Sequence, residues 1–363
     1  MLIYYLIFFS IIAFSISSDK LTSKTRNQIF GLFGAFLILF AGLRGLNVDN
    51  DYGTYLNYFN EAPTIDSLFT NSKYFFSSIR SNLEPSITII MSSIKGISSQ
   101  WFPVVIFLYA LTSISLKLIA IKRLSEFLSY SLLIYFSGIF LLQDMTQIRI
   151  AVASGILMLS IPYIVGRNFK KFIFLILLAV LFHYSAIVFV PFYFFNSKSI
   201  NKIFYFTIIC ISIFLGIIHF NPFEIILKLN LGFLSEIIHA QIVAQSLMKK
   251  MNIFNVITLF NVVVCIFFIF NSQKFKNKYS IILIKMYSFS LVFYYLFSFS
   301  PVIAFRTSEV LNIAQIILLP QLIYIIKPKM LAELTVISIS LLYFLNQVLV
   351  NAIMKPYIPF FAN

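Results

Sequence analysis

Charge is what this chain has least of. Only 11% of its 363 residues are charged, with 12 Asp and Glu against 27 Lys and Arg, whereas a soluble domain carries roughly 25%. A water-facing surface of ordinary extent is excluded. Cysteine is nearly absent, and the two present, Cys210 and Cys265, fall inside apolar stretches, which argues against a disulfide framework or a metal site. The sequence holds no P-loop, no glycine-rich dinucleotide fingerprint, no His-Glu-x-x-His helix and no nucleophile elbow. No cofactor is expected, and the energy for any reaction must arrive with a substrate already activated in the membrane. The formal net charge of +15 does not signal nucleic acid, because the basic residues are scattered through short breaks and form neither a patch nor a recognition motif.

What is there is apolar: 60% hydrophobic residues and a mean hydropathy of +0.94. A helix needs roughly 20 apolar residues to cross a bilayer, and segments near that length recur along the chain. The expected fold is all-α, a polytopic integral membrane protein made of a single transmembrane domain over residues 1–363 with about twelve helices in the lipid bilayer. Leu2 to Ser17 lacks a basic leader and a small-residue cleavage site, so it reads as a retained helix and not a signal peptide. Basic residues are retained on the cytoplasmic side. Loops Lys20 to Arg26, Lys117 to Arg123, Arg167 to Lys171, Lys198 to Lys202, Lys274 to Lys278 and Lys327 to Lys329 are therefore placed inside, and they alternate consistently. The crossings then fall at about 2–18, 28–46, 100–121, 127–143, 148–166, 172–183, 184–196, 203–219, 254–270, 280–300, 307–326 and 331–350, with both termini outside.

Residues 85–99 are apolar but short, which predicts a re-entrant or interfacial segment, and 172–183 with 184–196 reads as a broken pair meeting at His183. Lys117 and Lys285 are expected to snorkel from near cytoplasmic helix ends as structural residues. Two larger outer loops span about 47–84 and 220–252. In the second, Phe223 to Lys228 and Phe233 to Val243 carry apolar residues at helical spacing broken by charges, as helices lying on a membrane surface do. The 44 phenylalanines suit a lipid-facing exterior.

Against this background a few charged residues stand out. Gly42 to Tyr55 is the densest polar cluster, with Arg44 at the outer end of the second helix and Asp49 and Asp51 just beyond it. Charges at membrane depth are costly and usually face a bundle interior or a watery cavity. The structural alternative is an Arg44–Asp51 ion pair that holds the loop. Arg149 opens a helix after Gln143 to Gln147, followed by Ala151, Ala153, Ser154 and Gly155, whose small side chains let a neighbouring helix approach; its alternative is to snorkel to headgroups. Arg306 has Glu309 one turn along the same face, so an internal salt bridge competes there. His183 interrupts a long apolar run, where a lone histidine is usually structural. The topology places all of these on the outer side. Arginine binds phosphate oxygens bidentately and keeps its charge, and carboxylates or an imidazole beside it can take a proton from an attacking hydroxyl. The combination points to displacement of a phosphate leaving group at the outer membrane face.

At these residues the chain resembles the EpsG/Wzy-like bacterial polysaccharide polymerases, inner-membrane enzymes of O-antigen and capsule assembly. Arg44-Gly45 with Val48, Asp51, Tyr52 and Tyr55 is similar to the family's Arg-Gly, Val-Gly-x-Asp and Tyr pattern after the second helix. Glu84 resembles the Glu before the next apolar segment. Gln147-Ile-Arg149-Ile-Ala151 resembles an Arg-Gln-x-x-Ala helix start, and Ala179 to Pro191 resembles an Ala-x-x-x-His-x-Ser-Ala segment, the most specific of the matches. Arg306 matches a late Arg, and Lys355-Pro356-Tyr357 a Pro-Tyr near the end. Asp49 stands where the family often has Gly. Ile150 replaces the Gln that often follows the helix-opening Arg, which leaves Gln147 to supply an amide there.

The resemblance implies a metal-independent glycosyltransferase. Its donor would be a growing glycan on undecaprenyl diphosphate, its acceptor the non-reducing end of a lipid-linked repeat unit, and a chain-length regulator protein a further partner. On this reading Arg44, Arg149 and Arg306 hold the diphosphate. Asp51 is the first choice of base, with Glu84 and His183 as rivals, supported by Asp49, Gln147 and Glu309. Tyr52, Tyr55, Tyr58 and Tyr74 are candidates for stacking on sugars. A flippase of lipid-linked oligosaccharide and an O-antigen ligase are the competing functions. The flippase would place its ionisable residues near the bilayer midplane and often shows two related halves; the ligase would differ from the polymerase only in its acceptor.

Overall fold

In hydrocarbon every backbone N–H and C=O must find a partner within the protein, and a helix satisfies this inside a single segment. The structure, a computed structural model, describes residues 1–70, 84–221 and 251–362. Over these residues the chain is an all-α polytopic membrane protein. Among the described residues six helices are long and apolar enough to cross a bilayer: Leu2–Lys20, Ser23–Gly42, Phe102–Leu124, Ile148–Val165, Pro301–Ile325 and Lys329–Val350. Shorter apolar helices fill out the bundle at Leu128–Asp144, Tyr184–Phe194, Lys202–Ile217, Val256–Phe270 and Ser280–Leu296. Tyr74 and the two surface helices expected within 222–250 lie outside the described residues.

The principal helices are α1 (Leu2–Ser17), α2 (Ser23–Gly42), α3 (Tyr52–Glu61), α4 (Ile65–Thr70), α5 (Pro85–Ile97), α6 (Phe102–Leu124), α7 (Leu128–Ile134, running on as a π-helix over Tyr135–Asp144), α8 (Ile148–Val165), α9 (Phe169–Phe182), α10 (Lys202–Ile217), α11 (Val256–Phe270), α12 (Ser280–Leu296), α13 (Pro301–Asn312) and α14 (Lys329–Leu345, ending in a π-turn over Asn346–Val350). Asparagines in the breaks start several of them. Asn168, Asn201 and Asn255 accept from the amides of Lys171, Phe204 and Thr258 and so satisfy an orphan N–H at each helix start.

The basic loops gather at one end of the bundle. Asn277 donates to the Leu124 carbonyl at 2.7 Å, Arg167 to that of Phe195 at 2.8 Å and Lys202 to that of Phe270 at 3.0 Å, while Lys329 pairs with Asp19. This is the grouping expected from the charge distribution. Lys285 belongs to it, donating to the Asn196 carbonyl beneath the Tyr205 ring. Lys117 does not. It is fully buried, 2.7 Å from Asp144 Oδ2, which also accepts from Tyr135 OH at 2.8 Å. An acid within reach of the bundle interior holds the ammonium there instead of letting it snorkel.

The short segments behave as their lengths require. At 13 residues, α5 is roughly 20 Å long and falls short of the hydrocarbon core. It packs along α6, with Ser86 3.4 Å from Tyr109. The pair meeting at His183 is a hairpin whose return leg, Tyr184–Phe194, is a 3₁₀-helix. With a rise of about 2.0 Å per residue against 1.5 Å, that winding stretches eleven residues further than an α-helix would. Close packing brings the polar helix ends together. A Cβ on Gly42 would stand 2.6 Å from the Phe107 ring and 3.2 Å from its Cα, and one on Gly155 2.8 Å from Leu116 Cβ, so α2 and α8 press on α6 where only glycine fits.

Candidate functional site

The end of the bundle opposite the basic loops carries the residues singled out by sequence, and they divide into two groups. The first is built on the turn after α2. Arg44 is wholly buried; its Nε donates to Asp49 Oδ2 at 2.7 Å and its Nη1 to the Ala41 carbonyl at 2.6 Å. The other oxygen of Asp49 accepts the amides of Asp51 and Tyr52 at 2.8 and 2.9 Å, which caps α3. The ion pair thus forms with Asp49 and not with Asp51. Asn47 at the turn has φ 66°, a left-handed conformation that asparagine tolerates. The chain's last segment closes this turn from outside. Gly45 N donates to Ile358 O, Lys355 N to Val48 O and Phe360 N to Leu43 O, at 2.8 to 3.0 Å. Tyr357 stacks on Phe40 at 4.3 Å and donates to its carbonyl.

The second group converges from α3, α5, α8, α9 and α13. Arg149, in the first turn of α8, pairs through Nη1 with Glu84, the residue that precedes α5. Its guanidinium lies 6.0 Å from the centre of the Tyr55 ring. Glu84 also faces His183 Nε2 at 3.8 Å, while His183 Nδ1 is 2.7 Å from Ser185 Oγ. The positive fields of both Arg149 and Arg306 reach His183. Arg306 is exposed, and among the described residues it makes no ion pair. Glu309, its expected partner, instead lines a cavity together with Gln147. Asp51 stands between the groups, half-buried, with Asp49, Arg149, Arg44 and Glu309 all within electrostatic range. Burial first and the Asp49 charge second push its carboxyl above the ordinary carboxylate range, while Arg149 and Arg44 pull it back.

Chemically, the second group offers a guanidinium paired with Glu84 but still 15% exposed, a second guanidinium at the rim, and a half-buried carboxyl raised above the ordinary carboxylate range. The structure brings Arg149, Glu84, His183, Tyr55, Asp51, Gln147, Glu309 and Arg306 to one place. Arg44 and Asp49 are adjacent but sealed. Tyr52 and Tyr55 are each 4% exposed, their rings spent on Phe102 and Arg149, so neither offers a face to a sugar.

Sequence reasoning missed a third set of polar residues beside this site. Asn261 Oδ1 accepts from Tyr287 OH at 3.0 Å and Tyr343 OH at 2.6 Å. Asn312 Oδ1 accepts from Ser290 Oγ at 2.9 Å. These amides are spaced singly through apolar helices, and nothing in the linear order links them.

The chain matches the EpsG family over residues 27–361. It is 24% identical over 254 residues to the amylovoran biosynthesis protein AmsC of Erwinia amylovora, a match covering 60% of this chain and 59% of that protein. The aligned region is therefore less than two thirds of the relative's length. No solved structure matches. The family match takes in every residue of the site just described, from Arg44 to Arg306, and the chain belongs to the EpsG family.

Proposed function

We propose that this protein is a polysaccharide polymerase that joins repeat units carried on undecaprenyl diphosphate at the outer face of the bacterial inner membrane. The observation that carries the reading is Arg149: a guanidinium braced by Glu84 and Tyr55, open to solvent on one side and beside His183 and Arg306. A diphosphate reaching this point takes over from Glu84 as partner of the fork, and Arg306 at the rim adds a second bidentate contact. The acceptor hydroxyl attacks the anomeric carbon of the donor. The new C–O bond forms as the bond from that carbon to the diphosphate oxygen breaks, and the proton passes to Asp51. Arg149 and Arg306 stabilise the charge that develops on the leaving undecaprenyl diphosphate.

Of the two carboxyls Asp51 and Glu84, Asp51 is assigned as base because among the described residues it makes no ion pair, whereas Glu84 is engaged by Arg149. Glu84 and His183 position Arg149, and Arg44 with Asp49 shapes the wall behind Asp51. The name of the relative AmsC, given for amylovoran biosynthesis, supports a biosynthetic step. A flippase is the second reading, favoured by the Lys117–Asp144 pair inside the bundle, the kind of intramembrane charge a transporter uses. That pair has no exposed side-chain surface on either partner, which speaks against an ion path through it.

The test is the reaction of purified full-length protein with lipid-linked repeat units, followed on a gel. A ladder of lengthened glycans is expected. In cells, loss of the gene is expected to leave products bearing a single repeat unit; products bearing none would favour the flippase.

A further inference from the structure

A cavity of about 1020 Å³ opens among α11, α12, α13 and the end of α14, with a smaller chamber of about 100 Å³ against the π-helix after α7. It is at the upper end of the range for small-molecule sites, about 300–1,000 Å³. Gln147 and Glu309 line it, so it adjoins the Arg149 cluster directly. Its chemistry is nonetheless the opposite. Among the described residues no lysine, arginine or histidine lines it, and Glu309 is the one charge. Among the described residues a phosphate has no cationic partner here.

Carboxamides dominate the polar lining, and they are of two kinds. Asn255 and Gln347 are occupied in holding helices: Asn255 caps α11 and donates to Tyr294 OH at 2.6 Å, and Gln347 donates to the Gly138 carbonyl at 3.1 Å. Such interhelical bonds are the ordinary work of amides in membrane bundles. Asn261 and Asn312 are held only through Oδ1, so each amide nitrogen is oriented by its own oxygen yet donates to nothing among the described residues. Asn346 stands with them on the walls of both chambers. A hydrocarbon chain in this space would leave those donors unpaired, which is costly in a dry site. A polyol would not, since each amide both donates and accepts, as adjacent hydroxyls of a sugar do. Phe305 and Tyr294 supply apolar walls for the C–H faces of the ring.

We infer that this cavity is the carbohydrate subsite, in which Asn261, Asn312 and Asn346 bind the uncharged glycan of the lipid-linked substrate while the Arg149 cluster next to it holds the diphosphate. The inference rests on the functional reading above and divides the substrate between two chemically distinct compartments. Discrimination among repeat units then resides in the amides, and affinity for the common lipid carrier in the arginines.

The experiment measures binding of two probes to full-length protein in nanodiscs: undecaprenyl diphosphate without sugar, and undecaprenyl-diphosphate-linked repeat units extracted from the parent cells deleted for the gene. Asn346→Ala and Asn312→Ala are expected to weaken binding of the glycosylated probe at least tenfold and to leave that of the bare diphosphate within twofold. Asn346→Gln should recover most of the loss. Ser290→Ala, which removes the hydroxyl that holds Asn312 Oδ1 and leaves every carboxamide of the cavity in place, should give a smaller loss with the same selectivity, and serves if the asparagine variants do not insert. Equal weakening of both probes, or no weakening of the glycosylated one, overturns the subsite. If the wild type binds neither lipid, the polymerase reading itself falls, and the subsite with it.

Discussion

Arg44 and Arg149 each face a carboxylate at the same end of the bundle, yet the two pairs are built differently. The Arg44–Asp49 pair has no exposed side-chain surface on either partner, and both oxygens of Asp49 are committed, one to the guanidinium and one to the start of α3. In the Arg149–Glu84 pair the arginine keeps 15% of its side chain exposed, and its partner is shared with His183. A sealed pair with both carboxylate oxygens bonded and no exposed side-chain surface cannot exchange its anion without unfolding the turn. A pair with one open side can. On the proposed function an arginine–carboxylate pair is a structural pin in one case and an exchangeable anion site in the other, and burial decides which.

Breaking the pin should have the largest effect. Arg44→Ala leaves Asp49 buried and unpaired, a loss of about 3–5 kcal/mol for a pair of this kind. The amount of inserted protein and its melting temperature in detergent should both fall sharply. Arg149→Ala, in contrast, should insert and melt nearly as the wild type does while losing roughly 10²–10³-fold in turnover, the usual cost of removing a donor aimed at developing charge. Should the two variants behave alike in both assays, the distinction between pin and site is wrong.

A finer test exchanges the partners. Glu84→Gln keeps the shape but frees Arg149 of its charge partner and of its link to His183. The expected result is a fall in kcat of about tenfold to a hundredfold, matching the roughly 1.5–3 kcal/mol of a charge-assisted hydrogen bond, with unchanged protein level. Asp49→Asn should do the reverse, lowering the protein level while the fraction that folds turns over normally.

How far the sequence foretells this depends on the residue. Helices and their ends were legible because hydropathy and lysine placement respond to the bilayer directly, and the contacts joining Leu124 to Asn277 and Phe270 to Lys202 follow from that order. The convergence of Arg149, Glu84 and His183 was legible only as a shared side, since three residues on one face need not meet. What decides the role of Arg44 was not legible: Asp49 and Asp51 are both near in sequence, and the turn at Asn47 with the strap from Lys355 to Phe360 determines which carboxylate turns inward. Lys117 misled for the same reason, because its partner Asp144 sits 27 positions away on a π-helical stretch that no apolar periodicity marks. The amides of the cavity carry no local pattern at all and become a set only when α11, α13 and α14 pack.

The smallest expected effect concerns the residue between the two pairs, and it tests a sign. Burial and Asp49 raise the Asp51 carboxyl above its value in the unfolded chain. A group raised in this way adds to stability below its unfolded pKa, and that contribution is lost as pH rises through the folded pKa. At neutral pH an ionised Asp51 therefore strains the fold it serves. Asp51→Asn should remove the strain: its melting temperature should lie slightly above that of the wild type near neutrality, and the two curves should converge as the pH is lowered and the wild-type carboxyl takes up its proton. A structural carboxylate such as Asp49 should show the opposite, with the Asn variant less stable at every pH where the wild type is charged. If Asp51→Asn is inactive yet at least as stable as the parent, the residue is kept at a cost to folding, as expected of a base placed beside an arginine-bound leaving group. Lower stability of that variant at neutral pH would instead move Asp51 to the side of Arg44 and Asp49, leaving Glu84 and His183 as the candidate proton acceptors beside Arg149.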